Sequence, residues 1–378
     1  MTALYIHIPF CVRKCPYCSF YSRTGTGEEM RDFVDAASLH ILRLHSLHVF
    51  SEIKTIYIGG GTPTSLPDDA LRALLGTVSV FAADDAEFTC EANPDSVTID
   101  KLRVLKEFGV NRLSLGVQSF SDVNLEILGR LHDSHTAAKA YNTARDTGFA
   151  NISIDLVYGL PGQVVMSWVD DLKQAIALHP EHISLYGLTI ETGTKFEELY
   201  GGAESKGKLP AEEVVREMYY CGINVLRAAG YKQYEISNFA LPGYESRHNL
   251  NYWRHGKYLA IGPSASGFDG KRRWKNLSDT GRYIDAIKSG DSTTDEEEQL
   301  STEQLISEAL MLGLRLREGV SLRRLSSAYD VDLMSLYSGT IRSLEKIGML
   351  EVEGDIIHLT SDGLFVSNAV ISEFMLVQ

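Results

Sequence analysis

Along the first 230 positions, short runs of β-branched and aromatic residues alternate with longer stretches of helical period. The short runs fall at 4–8, 55–58, 87–90, 112–115, 152–157 and 183–188, and the helical patterns at 28–45, 68–81, 99–108, 134–147, 165–178 and 211–229. Strand followed by helix, repeated in series, predicts an α/β fold with a parallel sheet and helices outside. Six units rather than eight predict an incomplete (βα)6 barrel. Within the first run Tyr5, His7 and Pro9 share one face and Leu4, Ile6 and Ile8 the other. The aliphatic face is expected to meet the helices, leaving Tyr5 and His7 inward.

Beyond about residue 230 the periodicity weakens. Residues 231–300 are rich in aromatics, Gly, Asn and Ser, and they read as loops and short strands packed over the barrel, closed by the charged strip 295–298. The final stretch shows helical patterns at 303–316, 322–328 and 333–347, then a hairpin turning at Gly354 and Asp355. That order resembles a winged helix. The expected organisation is a partial barrel (1–230), a loop-rich extension (231–300) and a winged-helix-like α+β domain (301–378).

Charge narrows the partners. The net charge is −14, and residues 301–378 carry six Lys/Arg against eleven Asp/Glu. Phosphate backbones select basic surfaces, so no nucleic-acid partner is expected and the tail should pack on the barrel or a protein. No apolar run is long enough to span a bilayer, and the opening MTALYIHIPF reads as a strand rather than a signal peptide. A cytoplasmic location is expected.

Five cysteines are too few, and odd in number, for a disulfide framework. Cys90 and Cys221 stand alone in apolar company and read as small hydrophobes. Cys11, Cys15 and Cys18 form a compact C-x3-C-x2-C directly after the first strand, with no second pair to complete a structural zinc site. An iron–sulfur cluster held by three thiolates leaves one iron open to an exogenous chelator, and the amine and carboxylate of S-adenosylmethionine suit it.

The other unusual residues also sit at strand C-terminal ends, the face that carries sites in barrels of this kind: Gly59-Gly60-Gly61-Thr62-Pro63, Glu91 and Asn93, Gln118, Asp155 and Gly159. Glycines there allow close backbone approach to a ligand. Glu91 or Asp155 could accept from ribose hydroxyls and Arg130 could face a carboxylate, although any one of them taken alone reads better as part of a solvated salt-bridge set.

Together the cysteine loop, GGGTPTSL, EANPD, SLGVQSF, LGRLH and DLVYGLPGQ resemble the radical S-adenosylmethionine superfamily, and more narrowly the group related to oxygen-independent coproporphyrinogen III oxidase. The resemblance spans nearly the whole chain. It implies a [4Fe–4S] cluster on Cys11, Cys15 and Cys18. It also implies an S-adenosylmethionine site lined by Tyr5, Tyr17, Gly60, Gly61, Thr62, Glu91, Gln118, Arg130 and Asp155.

Oxidases of that group typically carry a further cysteine two positions after the third and a long N-terminal arm. Here Ser19-Phe20 follow Cys18 and four residues precede Tyr5, which weighs against oxidase activity. The segment RHNLNYW resembles instead the H-N-x-x-Y-W signature of a heme chaperone branch. That resemblance implies heme as a ligand, with His248 associated with holding it and His255 as a second, weaker candidate; His7 is expected to be structural. It further implies an acceptor hemoprotein, with a membrane-bound respiratory enzyme as one candidate, and allows a homodimer.

Overall fold

The structure, a computed structural model, describes residues 2–50, 52–202 and 207–375. Strands β1 (Ala3–Ile8), β2 (Ile53–Gly60), β3 (Ala82–Ala92), β4 (Arg112–Gln118), β5 (Ile152–Tyr158) and β6 (His182–Gly187) pair in parallel and in sequence order. Between and after them run α1 (Gly27–Ser46), α2 (Asp68–Ser79), α3 (Ile99–Glu107), α4 (Asp122–Ile127), α5 (Ser134–Asp146), α6 (Val165–Ala177), α7 (Lys195–Tyr200) and α8 (Glu212–Ala228). This is the expected six-unit partial barrel. Leu4, Ile6 and Ile8 are buried in the main core with Phe33 and Val34 of α1 and Leu71 and Leu74 of α2, so the aliphatic face of β1 does meet the helices. Cys90 is buried in the same core, whereas Cys221 on α8 is half-buried.

Residues 231–300 depart from expectation. Their strands do not lie over the barrel; they extend its sheet in plane at both edges. On the β6 side lie β7 (Lys232–Gln233) and β8 (Asn238–Ala240); on the β1 side lie β9 (Tyr258–Ile261), β10 (Ser266–Phe268), β11 (Arg272–Asn276) and β12 (Thr294–Gln299), giving twelve strands. The charged strip is not a separator but the outermost strand β12, where Glu296 pairs with Lys275 at 2.8 Å and Glu297 with Arg272 at 3.6 Å. Charge on an edge strand discourages pairing with another chain. Helix α10 (Thr280–Ser289), between β11 and β12, locks onto α1 through a buried contact of Tyr283 with His40 at 2.9 Å.

RHNLNYW, expected in a loop, is helix α9 (Arg247–Trp253). Its periodicity is weak because long-range contacts fix it. Ser246 caps it by accepting from the Asn249 amide at 3.3 Å, and the Glu87 carboxylate on β3 accepts from the amides of Arg247 at 2.8 Å and His248 at 2.9 Å. An anion at a helix N-terminus satisfies amides that have no partner inside the helix.

The tail builds a second core around Leu310, Leu322, Leu333, Ile341, Ile357 and Phe374. Helices α11 (Thr302–Gly313) and α12 (Leu322–Tyr329) match the expected patterns, while the third splits into α13 (Leu333–Leu336) and α14 (Ser338–Lys346). The break falls at buried Tyr337, whose hydroxyl donates to the Phe374 carbonyl at 2.9 Å and holds the turn against the last helices, α15 (Ser361–Phe365) and α16 (Ser367–Ser372). Strands β14 (Leu350–Glu353) and β15 (Ile356–Leu359) form the expected hairpin, with β13 (Val320–Ser321) beside β15. The winged-helix-like arrangement is therefore present, and it is tied to the rest of the chain at several points: the bridge between Glu235 and Leu316, Arg254 on Glu318 at 2.8 Å, Glu308 on His255 and Arg273, Asp362 on Arg216 and Tyr220, and Phe365 packed on Tyr219.

Removing the carboxylate under α9 tests this account. Glu87→Ala strands buried amides and is expected to lower stability by about 2–3 kcal/mol. Urea unfolding measures it; an unchanged midpoint would show that α9 holds its place without the anion.

Candidate functional site

The chain leaving β1 folds back on itself before α1. Cys11 donates its amide to the Arg23 carbonyl at 3.0 Å, Arg23 returns one to Pro9 at 2.9 Å, and the Cys18 amide reaches the Cys15 carbonyl at 3.2 Å. All three cysteines are free thiols at intermediate exposure. The glycine run after β2 docks on the same segment, with the Gly61 amide on the Ile8 carbonyl and the Thr62 amide on that of Phe10, both at 2.7 Å.

A cavity of about 410 Å³ opens where the parallel strands end, and all three cysteines line it. Among the described residues no three His, Cys, Asp or Glu side chains are gathered tightly enough to hold a single metal ion. Of the residues singled out in the sequence, Tyr17, Gly60, Gly61, Thr62, Glu91, Gln118, Arg130 and Asp155 share this cavity. Tyr5 does not.

Polar contacts organise the wall. Arg130 donates to the Asn93 amide oxygen at 2.6 Å and the Gly116 carbonyl at 2.8 Å, and lies 3.6 Å from the Cys15 sulfur. Asn93 donates to Thr62 at 2.9 Å, and Thr62 in turn lies 3.6 Å from the Cys11 sulfur. The Arg130 Nε is buried without a partner, a donor left over on a cavity wall. Burial pushes the Cys11 and Cys18 thiols up from their ordinary range.

Two carboxylates sit deeper. Asp155 accepts from the hydroxyls of Ser184 at 2.7 Å, Ser114 at 2.9 Å and Ser153 at 3.2 Å. Glu91 accepts from Tyr57 at 2.7 Å and the Gly60 amide at 3.1 Å. Burial raises both carboxyls, Glu91 to about 7 against the opposing hydrogen bond from Tyr57. Tyr57 was not singled out in the sequence. The alternation of Thr-Ile-Tyr-Ile along β2, the same signal that turned Tyr5 inward, could have found it.

A second cavity, of about 660 Å³, lies on the other side of the cysteine loop. Ser19 and Phe20 line both. Tyr5 and His7 face this second space, as do Tyr252 and Trp253 from α9, His255, Phe268 and Met311. His7 is held at both ring nitrogens, by the Tyr5 hydroxyl at 3.0 Å and the Tyr21 carbonyl at 2.7 Å.

His248 lines neither cavity among the described walls. It is 1% exposed, with Nδ1 on the Thr55 hydroxyl at 3.0 Å and Nε2 on the Tyr252 hydroxyl at 2.9 Å. Burial, with the Arg112 charge adding, pushes it down to about 3, so the ring is neutral.

Residues 5–175 match the model of the radical SAM superfamily, and residues 300–366 that of the HemN C-terminal domain. The heme chaperone HemW of Bacillus subtilis is 37% identical over 99% of both chains, and that of Escherichia coli 44% identical over 70% of this chain and 69% of its own. The solved coproporphyrinogen III oxidase (HemN) of Escherichia coli superposes with a TM-score of 0.85 over 99% of this chain and 90% of its own, at 22% identity, a likeness of fold.

Glu91 makes a pH signature. Its folded value of about 7 exceeds the ordinary 4.5, so the folded chain keeps a proton that the unfolded chain releases. The stability this confers is full below the lower value and is lost as pH rises through the upper one. Denaturation midpoints between about pH 5 and about pH 8 should therefore fall relative to those of Glu91→Gln. Parallel profiles for the two proteins would refute the assignment.

Proposed function

The chain belongs to the HemW family of radical SAM proteins, and on that premise we propose that it is a heme chaperone, holding an iron–sulfur cluster and S-adenosylmethionine in the first cavity and heme in the second. The observation that carries the reading is the pair of cavities sharing the wall Ser19–Phe20, with the RHNLNYW helix closing the larger one. Ligands of this size occupy cavities of about 300–1,000 Å³.

The first cavity suits its groups. Three thiols on the wall of one cavity are the ligand number of a [4Fe–4S] cluster with an open iron. When bound, the cluster supplies the electron that breaks a sulfonium carbon–sulfur bond. The residues do the holding. Gly60 and Gly61 let the backbone approach an amino group, Asp155 and Glu91 offer acceptors to hydroxyls, and Arg130 has an unpartnered donor for a carboxylate.

The second cavity suits a planar apolar macrocycle, because aromatic rings dominate its wall. His248 has a supporting part in this reading. Its ring fixes the Tyr252 hydroxyl, and Tyr252 faces the cavity. Five free cysteines and no helix long and apolar enough to cross a membrane, among the described residues, agree with work in a reducing cytoplasm. Delivery to an acceptor hemoprotein, a membrane-bound respiratory enzyme among the candidates, and a homodimer complete the proposal by family likeness.

Replacing Cys11, Cys15 or Cys18 with Ala should abolish broad absorbance near ~400 nm after anaerobic reconstitution. Undiminished iron and sulfide in any one variant would remove that cysteine from the ligand set.

Titrating reconstituted protein with heme should give a Soret shift, and His248→Ala should weaken binding roughly tenfold, a single hydrogen-bonded contact's worth. The cluster should be spared. No shift, or conversion of coproporphyrinogen to protoporphyrinogen under reducing, oxygen-free conditions, would replace the chaperone reading with the oxidase one or with neither.

A further inference from the structure

Two imidazoles line the second cavity, and neither belongs to the histidine of the family signature: His7 has both ring nitrogens engaged, whereas His255 is bonded at Nε2 alone among the described contacts. His248 is buried with both nitrogens engaged, whereas His255 is on the cavity wall. Its ring stacks on Phe268 at 4.6 Å, and its Nε2 meets the Glu308 carboxylate at 3.2 Å. The same carboxylate oxygen pairs with Arg273, which also lines the cavity.

The backbone fixes where the ring stands. His255 follows α9 with φ of 54°. Its amide reaches the Tyr252 carbonyl at 2.9 Å and the Gly256 amide reaches that of Asn251 at 2.8 Å, the paired bonds of a Schellman cap. Histidine is among the residues that take this left-handed position, and His48 and His179 do so after other helices of the chain, so the cap positions the ring without itself marking a site. A cap by itself asks for no imidazole.

The electrostatics agree. One Glu308 carboxylate oxygen meets both the His255 Nε2 at 3.2 Å and the Arg273 guanidinium. A carboxylate can only accept, so it takes the hydrogen of Nε2 and turns Nδ1 into the nitrogen left for a ligand; Nδ1 has no hydrogen bond among the described contacts. A carboxylate behind the imidazole fixes the tautomer and makes the free nitrogen a better metal donor. Arg273 is the more exposed partner, 37% against 15% for Glu308, so it can turn a donor to an incoming carboxylate without breaking the pair.

Resting on the heme reading above, we infer that an iron porphyrin enters this cavity with His255 as an axial ligand and Arg273 pairing with one propionate. Its recognition elements are an axial nitrogen, a guanidinium and an aromatic wall. His248 acts at one remove, through Tyr252.

The test uses the full chain with its cluster and three ligands: hemin, iron-free protoporphyrin and hemin dimethyl ester. Binding is followed by absorption, and axial ligation by electron paramagnetic resonance. His255→Asn is the variant of choice, because asparagine tolerates positive φ. It should weaken hemin roughly tenfold or more and change the ligation signal, while leaving iron-free protoporphyrin unaffected. Arg273→Gln should weaken hemin and iron-free protoporphyrin alike by roughly tenfold and spare the dimethyl ester. His248→Ala should keep the wild-type ligation signal. A wild-type signal in His255→Asn, or an equal loss for the ester in Arg273→Gln, overturns the inference while heme binding itself stands. Wild-type protein that takes up none of the three ligands overturns the functional reading beneath it.

Discussion

The end of β1 is clamped between two glycines, and both cavities depend on that clamp. On one side Gly61 lies so close that a Cβ there would stand 2.4 Å from the Phe10 carbonyl oxygen and 2.7 Å from that of Ile8. On the other, Gly262 at φ 99° would place a Cβ 2.3 Å from the His7 carbonyl oxygen. Any side chain at either position would push β1 from one neighbour. Because β1 pairs in parallel with β2 and with β9 at once, the loop that leaves it is fixed as the partition between the two spaces. The cysteines then face the barrel mouth, and Phe20 stands on the shared wall.

Behind that partition the walls are joined by contiguous side chains. Glu91 on the first cavity accepts from Tyr57, whose ring lies 5.3 Å from that of His248, and His248 holds Tyr252 on the second. The buried ring is thus more than filler. It sets the position of a hydroxyl on one wall while packing against the tyrosine that fixes a carboxylate on the other, so a shift at either end must be accommodated in a close-packed interior.

Much of this was legible because the relevant signals are local. Strand and helix periodicity gave six units, and alternation turned Tyr5 and His7 away from the helices. Eight of the nine residues assigned by family likeness to the S-adenosylmethionine site meet on one cavity with the three cysteines. Tyr5, assigned by the same likeness, lines the second cavity instead, and alternation could not have told the two apart, since it says which face a side chain takes and not which space lies beyond it. The α9 helix was illegible for a different reason, since the carboxylate that seats it is some 160 residues away in the chain. The strip at 295–298 looked like a separator because an edge strand and a charged linker share a composition, and only the cross-strand Lys275 and Arg272 distinguish them.

The acidic tail also takes its meaning from what it touches. A winged-helix arrangement with few basic residues has no electrostatic case for nucleic acid. Here its first helix contributes Met311 and Leu312 to the second cavity, and Glu308 to the cluster with His255 and Arg273. The tail has its own hydrophobic core, so it can keep its shape while serving as a wall. The second cavity is thus closed by a separately packed unit rather than by the barrel alone, and ion pairs from Glu308 and Glu318 hold that unit to the strands and the helix that form the other walls. That division of labour places the cysteine loop and the carboxylates of the first cavity on the barrel, while the second cavity is completed only where the tail docks.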